Sequence, residues 1–277
     1  MIGIMKQYTT HIQLENSERR KLLEEINLQA GRYLSVCCAG MAFYDGNNYP
    51  IYNLHSLDAS DSKKNVLITA GMHGSEPGSV YAIMDIIETV FSKYGDVFNF
   101  TIFPCVNPAG FLRDTRENPE GIDINKSFDS DYRSQEAEIL SSYLSSKKFD
   151  IAINLHEDNP IDNKPEEKNP ADAYMYLVSD RMKKTLGYEV LRSISDYGYP
   201  VTNMKTVYDE ICDQGLIWSS RGKNSSDIHT GTLELFLEKI TDMIFTLETP
   251  TDWNVKTRIK CLTEMSDLIL EKAMRYH

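Results

Sequence analysis

NVLITAGMHGSEPG, residues 65–78, runs from an apolar stretch, Val66 to Ala70, into a glycine turn that carries His73 and Glu76 three residues apart. A short apolar run closed by turn residues reads as a buried strand of a parallel or mixed sheet. Open α/β sheets place their sites just beyond the carboxyl ends of such strands. An imidazole and a carboxylate on one short turn there suit a Zn²⁺ ion. Pro77 fits the first turn of the next helix, where its missing N–H would have no partner anyway. Val80, Ile83, Met84, Ile87 and Phe91 give that helix one apolar face as far as about Tyr94.

Outward from this stretch, strands and helices alternate. Asn16 to Leu28 reads as an amphipathic helix with Ser17 as cap. Tyr33–Val36, Met41–Tyr44 and Ile51–Leu57 read as short antiparallel strands separated by Gly40 and by Gly46-Asn47-Asn48. Further strands are expected at Phe98–Val106, Asp150–Leu155, Tyr174–Val178 and Met243–Leu247, with an extended piece near Val201–Val207. Helices are expected at Ser134–Ser146, Arg181–Asp196, Thr232–Ile240 and Trp253–Tyr276. This alternation points to an α/β domain with a largely parallel or mixed sheet. Two long polar loops, Asn107–Arg133 and Glu157–Asp172, interrupt it. Loops of that length in a compact domain usually serve function or lack order.

With 277 residues and neither repeat nor linker, the chain reads as one domain, 1–277, in which residues 1–60 supply a helix and antiparallel strands. A hydrophobic content of 41% with 25% charged residues suits a globular core. The net charge of −12 argues against a general nucleic-acid partner, which needs a basic face, but leaves small substrates open. Five cysteines, two of them adjacent at Cys37 and Cys38, form no framework, so reduced thiols are expected. No apolar run reaches membrane-spanning length, and the first residues lack the continuous apolar core of a secretory signal. The expected setting is the cytoplasm, with no membrane partner.

Three strand ends match in chemical type. The strand before residue 70 leads to His73 and Glu76, the strand before residue 156 to His156, and MIFTLETP to Glu248. Two histidines and one carboxylate hold zinc with a fourth position left for water, the catalytic rather than the structural arrangement. The ion lowers the water's pKa towards neutrality. A separate carboxylate can take its proton and pass it to a leaving nitrogen. Glu248 fits that task. Any one of these residues alone reads as an ordinary core histidine or charged strand end; the four together do not.

The set resembles the zinc metallocarboxypeptidase family, in the branch that includes murein-peptide amidases, succinylglutamate desuccinylase and aspartoacylase. GMHGSE is similar to that family's H-x-x-E zinc motif and NLHED to its third-ligand strand end. VNPAG is similar to its N-P-x-G turn, GIDINKSF to its G-x-D-x-N-R-x-F segment and FTLETP to its general-base strand. The matches keep family order from Asn65 to Pro250, about two thirds of the chain. The resemblance implies a mixed, roughly eight-stranded sheet flanked by helices, and zinc-dependent hydrolysis of an amide bond with one Zn²⁺ per chain. It implies His73, Glu76 and His156 as metal ligands and Glu248 as general base and then acid. Arg116 would polarise the scissile carbonyl, with Arg113 as competitor, while Asn125 and Lys126 would hold a substrate carboxylate. Lys126 departs from the family's arginine and offers a point charge in place of a planar fork. The resemblance therefore extends to amide hydrolysis rather than to strict carboxypeptidase action.

Several residues keep two readings. Glu157 and Asp158 either orient His156 or lie on a solvated loop, with the loop favoured. Asp123 either buttresses Arg116 or Asn125 or is a turn aspartate. The family's substrate-contacting tyrosine falls on Tyr197, Tyr199 or Tyr208. Cys105 reads as a small apolar core residue. His229 reads as a bystander, and His11, His55 and His277 carry no signal. The expected substrate is a small peptide or an N-acyl amino acid bearing a carboxylate. A deacylase of small N-acyl amino acids is the alternative enzyme, and a silent peptide-binding or carboxylate-binding relative is the reading from another class.

Overall fold

The computed structural model describes residues 16–128, 133–158, 170–220 and 231–275. His11, His229, His277 and most of the polar loop after Asp158 lie outside these residues. The chain begins with helix α1 (Asn16–Ala30) and an antiparallel hairpin, β1 (Leu34–Tyr44) and β2 (Asn47–Ser56). Asp45 and Gly46 turn that hairpin, both at positive φ (51° and 75°), the handedness that matches strand twist. β1 continues through Gly40 with a register shift between Cys38 and Gly40, so the two short strands expected there are one bulged strand.

Next come β3 (Lys64–Thr69), α2 (Pro77–Ile86) and a wide helical turn over Ile87–Phe91 that leads into α3 (Ser92–Tyr94). β4 (Phe98–Phe103) and α4 (Pro108–Arg113) follow, and the latter shortens the expected loop. Then come α5 (Gln135–Leu144), β5 (Phe149–Asp158), β6 (Tyr174–Ser179) and α6 (Lys184–Asp196). Three short strands, β7 (Thr206–Val207), β8 (Glu210–Asp213) and β9 (Leu216–Ser220), precede α7 (Leu233–Leu237), β10 (Thr241–Pro250) and α8 (Val255–Ala273).

These strands form one mixed sheet in the order β1-β2-β4-β3-β5-β10-β6-β9-β8-β7. Four central strands, β4, β3, β5 and β10, run parallel, so their carboxyl ends share one edge. Among the described residues the sheet has ten strands rather than roughly eight. The difference arises at the margin, where β7, β8 and β9 are too short to show alternation in sequence. Their turns sit at Tyr208-Asp209 and Gln214-Gly215, all at positive φ.

Apolar residues cover both faces. Ile151, Ile153, Met243, Phe245 and Leu247 join the core under α1, α2, α6 and α8. Ala152 and Ile244 join the second core, under α5 and α7. Because side chains alternate along a strand, Asn154, His156, Thr246 and Glu248 fall on the α5/α7 face. β5 and β10 outlast their apolar runs, and the ladder continues through Glu248↔His156, Thr249↔Glu157 and Pro250↔Asp158. His156 and Glu248 are therefore held by strand backbone rather than by the loops that follow.

Candidate metal centre

His73 and Glu76 occupy the turn between β3 and α2, and His156 stands near the end of β5. One ligand atom from each of the three lies within 4.8 Å of the others, and all three residues are buried. Nδ1 of His73 is 2.6 Å from Glu76 Oε1, and Nδ1 of His156 is 3.0 Å from Glu76 Oε2. Both imidazoles thus turn the same nitrogen inward to one carboxylate. Two imidazole nitrogens and a carboxylate oxygen that converge form a donor set that a Zn²⁺ ion accepts once the imidazoles are neutral.

The surroundings fix those orientations. His73 Nε2 lies 3.2 Å from Asp123 Oδ1, and the Glu157 amide donates to Glu76 Oε2 at 3.1 Å. Burial opposes a charge on His73, yet Glu76 and Asp123 outweigh it and push its pKa up to about 9. His156 shifts in the same direction against burial, through Glu76 and Glu248. Glu76 is held well below the usual carboxylate range, because two imidazoles outweigh its desolvation. Asp123 is likewise lowered against burial, by His73, Arg116 and Lys126.

Backbone contact sets the turn itself. A Cβ on Gly74 would lie 2.0 Å from the Gly110 carbonyl carbon, so only glycine lets the turn meet α4 this closely. In α4, which opens the N-P-x-G turn, Asn107 caps the helix by accepting from the Gly110 amide at 2.8 Å.

Glu248 pairs in register with His156 on one side and with Tyr174 on the other. It is half-buried. Burial raises its pKa well above the usual carboxylate value; His156 opposes that shift, while Glu76 and Asp158 reinforce it. One pleat deeper, Thr69 donates to Asn154 Oδ1 at 2.8 Å, and Asn154 and Thr246 both donate to Glu234 Oε1, at 3.0 and 2.7 Å. That polar layer ties β3, β5 and β10 to α7 directly beneath the site.

Arg116 and Arg113 part company. Arg116 Nε and Nη2 donate to Asp123 Oδ2 at 3.3 and 3.2 Å, and its Nη1 is 3.7 Å from Glu76 Oε1. Arg113 instead pairs with the exposed Asp45. Asp123 thus contacts both His73 and Arg116 and is more than a turn residue. Asn125 Oδ1 accepts from the Leu233 amide at 3.1 Å. Lys126 is largely exposed, with Nζ 3.6 Å from Asp123 Oδ2. Of the three tyrosines, Tyr197 is exposed and Tyr199 stacks on Trp253. Tyr208 donates to Asp158 Oδ1 at 2.6 Å, two residue pairs beyond the His156–Glu248 register.

The loop reading of Glu157 and Asp158 is corrected: both are buried in β5. Glu157 Oε2 accepts from the Gly78 amide at 2.6 Å, and Oε1 accepts from Arg258 Nη1 at 2.6 Å. A polar run after an apolar strand looks like a loop in sequence, and the buried partner, Arg258 on α8, is a hundred residues away. Burial raises the pKa of Glu157 in spite of Arg258. Cys105 is buried, and burial raises its thiol pKa.

Comparison with known proteins bears on the sequence pattern and on the fold. Residues 62–160 match the sequence pattern of the succinylglutamate desuccinylase/aspartoacylase catalytic domain. The matched segment contains His73, Glu76, Arg116, Asn125, Lys126 and His156 and stops before Glu248. No curated protein is significantly similar to the chain in sequence. A candidate metallopeptidase from Shewanella amazonensis SB2B superposes with a TM-score of 0.74 at 20% identity, covering 92% of each chain. A metallo-carboxypeptidase from Burkholderia cenocepacia gives 0.67 at 15% identity, over 94% of this chain and 69% of that one. Carboxypeptidase A from Helicoverpa armigera gives 0.64 at 13% identity, over 94% and 73%. The resemblance read from the sequence therefore stands: residues 62–160 carry the succinylglutamate desuccinylase/aspartoacylase pattern, on a carboxypeptidase-like fold.

Proposed function

We propose that the protein is a zinc-dependent hydrolase of amide bonds, with His73, Glu76 and His156 as the residues that hold one Zn²⁺. The observation that carries this reading is the approach of the three ligand atoms to within 4.8 Å, beside Glu248 in register with His156. A zinc ion held by these residues would acidify water and polarise a carbonyl. Glu248 takes the proton of the attacking water and delivers it to the leaving nitrogen. Arg116, oriented by Asp123, donates to the oxygen on which charge develops. Asn125 and Lys126 hold a carboxylate on the substrate.

The exposed Lys126 gives that carboxylate a mobile point charge rather than a fork. This supports a small N-acyl amino acid or a short peptide equally, so a deacylase reading shares every assigned role. The reading is tested by turnover of the zinc-loaded protein on a panel of N-acyl amino acids and short peptides, with and without a free carboxylate. Hydrolysis that needs both zinc and the carboxylate is the expected result. Full zinc occupancy with no hydrolysis of any member would favour a silent binding protein. Arg116→Met is expected to lower kcat by about 10²–10³-fold, because it removes a donor to the developing oxyanion. Arg113→Met, on the Asp45 side, is expected to leave turnover near wild type.

A further inference from the structure

We propose that Arg19, on α1, is a positioning residue for the metal turn: its guanidinium clamps the backbone between His73 and Glu76 onto α4, and metal affinity depends on that clamp. The inference rests on the metal-centre reading above. Arg19 is 1% exposed, and arginine is almost never that buried unless it is paired. Its Nη1 donates to the Gly74 carbonyl at 3.2 Å and to the Phe111 carbonyl at 2.8 Å. Its Nη2 donates to Asp114 Oδ1 at 2.7 Å, and the guanidinium lies 5.0 Å from the Phe111 ring centroid.

These contacts straddle one seam. Gly74 belongs to the turn that carries both first ligands, and Phe111 belongs to α4, whose backbone that turn touches at Gly110. The turn's own bonds run along it: the Glu76 amide reaches the His73 carbonyl at a long 3.3 Å, and Ser79 Oγ accepts from the Gly71 amide at 3.2 Å and donates to the Glu76 carbonyl at 2.7 Å, so the Gly74 carbonyl is left to Arg19. One nitrogen of Arg19 bonds both sides of the seam, so it fixes how far the turn stands from α4 and thereby where His73 and Glu76 point.

A purely structural role for Arg19, anchoring α1 to the body, fits less well. Leu22, Ile26 and Ala30 already bury that face of α1. An apolar side chain at position 19 would anchor the helix without the desolvation cost of a buried charge. What the guanidinium adds is the grip on two carbonyls. α1 also precedes residue 62, so this clamp lies outside the matched family segment.

The test compares four variants with wild type. The readouts are the zinc dissociation constant, measured by competition with a chelating indicator, the visible spectrum of the Co²⁺-substituted protein, and hydrogen exchange at the Glu76 amide without metal. Arg19→Met is expected to weaken zinc binding by about 10–100-fold, the range found when groups supporting a metal's ligands are removed. It should also shift the cobalt spectrum and speed exchange at Glu76. Arg19→Lys, which can reach one carbonyl, should recover part of each effect. Asp114→Asn, which alters only the half-exposed end of the clamp, should give a smaller change in the same direction. Leu22→Ala should lower thermal stability and leave the dissociation constant and spectrum as in wild type.

If Arg19→Met fails to fold, the lysine and Asp114→Asn variants carry the test. Wild-type zinc affinity and spectrum in those variants would overturn the clamp alone. A loss of affinity in Leu22→Ala as large as in the arginine variants would also overturn it, by assigning the effect to general stability. A wild-type protein that binds no zinc would overturn the metal reading and the clamp together.

Discussion

Glu248→Gln is expected to lower amide turnover by about 10²–10⁴-fold, the contribution of a positioned general acid–base, while zinc content stays as in wild type. Glutamine keeps the size of the side chain and its place opposite His156 and Tyr174, so the β10 ladder has no cause to move. What is lost is the ability to take a proton. Because burial and the Glu76 and Asp158 carboxylates raise the Glu248 pKa, the acid limb of the wild-type kcat/KM profile should report this group. Activity rises as pH climbs through its pKa and the base form appears. A cation bound beside it draws that limb downward. In Glu248→Gln the acid limb should vanish from whatever slow hydrolysis remains. A variant that keeps wild-type turnover, or that loses zinc in step with activity, would remove Glu248 from the base role.

The parts of this site that were legible in sequence are those where chemistry and chain direction coincide. His73 and Glu76 follow directly on an apolar run, so strand, turn and ligand pair read together. His156 and Glu248 could be recognised as strand-end residues. Their parallel neighbouring strands, which bring them into register, were not visible, because β5 and β10 are separated by about ninety residues. Glu157 was misread because a loop and the polar end of a buried strand share the same composition; only Arg258 and the Gly78 amide distinguish them. Arg19 left a faint signal. It falls on the same helical stripe as Leu22, Ile26 and Ala30, a cation at a core-facing position, which is the pattern of a buried pair. The edge strands β8 and β9 left none, since four or five residues give no period to detect, while β7 falls at the end of the extended piece expected near Val201–Val207. Turn chemistry at Tyr208-Asp209 offered no glycine to mark the reversal.

Metal uptake and protein stability are expected to respond to pH with opposite signs. Without metal, the His73 pKa of about 9 leaves that imidazole largely protonated at neutral pH, bound to Glu76, and the same carboxylate raises the pKa of His156 against its burial. Zinc accepts only neutral imidazole, so each proton must leave as the ion enters. Zinc affinity should therefore climb from pH 6 to 8, by about one decade per unit for the proton displaced from His73, and flatten above about 9. Stability of the metal-free chain runs the other way. The folded-state His73 pKa lies above its unfolded value of 6.5. The stability it contributes is thus fully present below about pH 6.5 and is lost as pH rises towards 9. Thermal unfolding of the metal-free protein should accordingly shift to lower temperature across that window, while the zinc-loaded protein gains. Asp123→Asn removes one of the groups that hold the proton on His73. It should bring the plateau of zinc affinity to lower pH and shrink the metal-free stability change. Zinc affinity flat between pH 6 and 8, or metal-free stability that rises over the same range, would mean that His73 is not a group exchanging its proton for the ion.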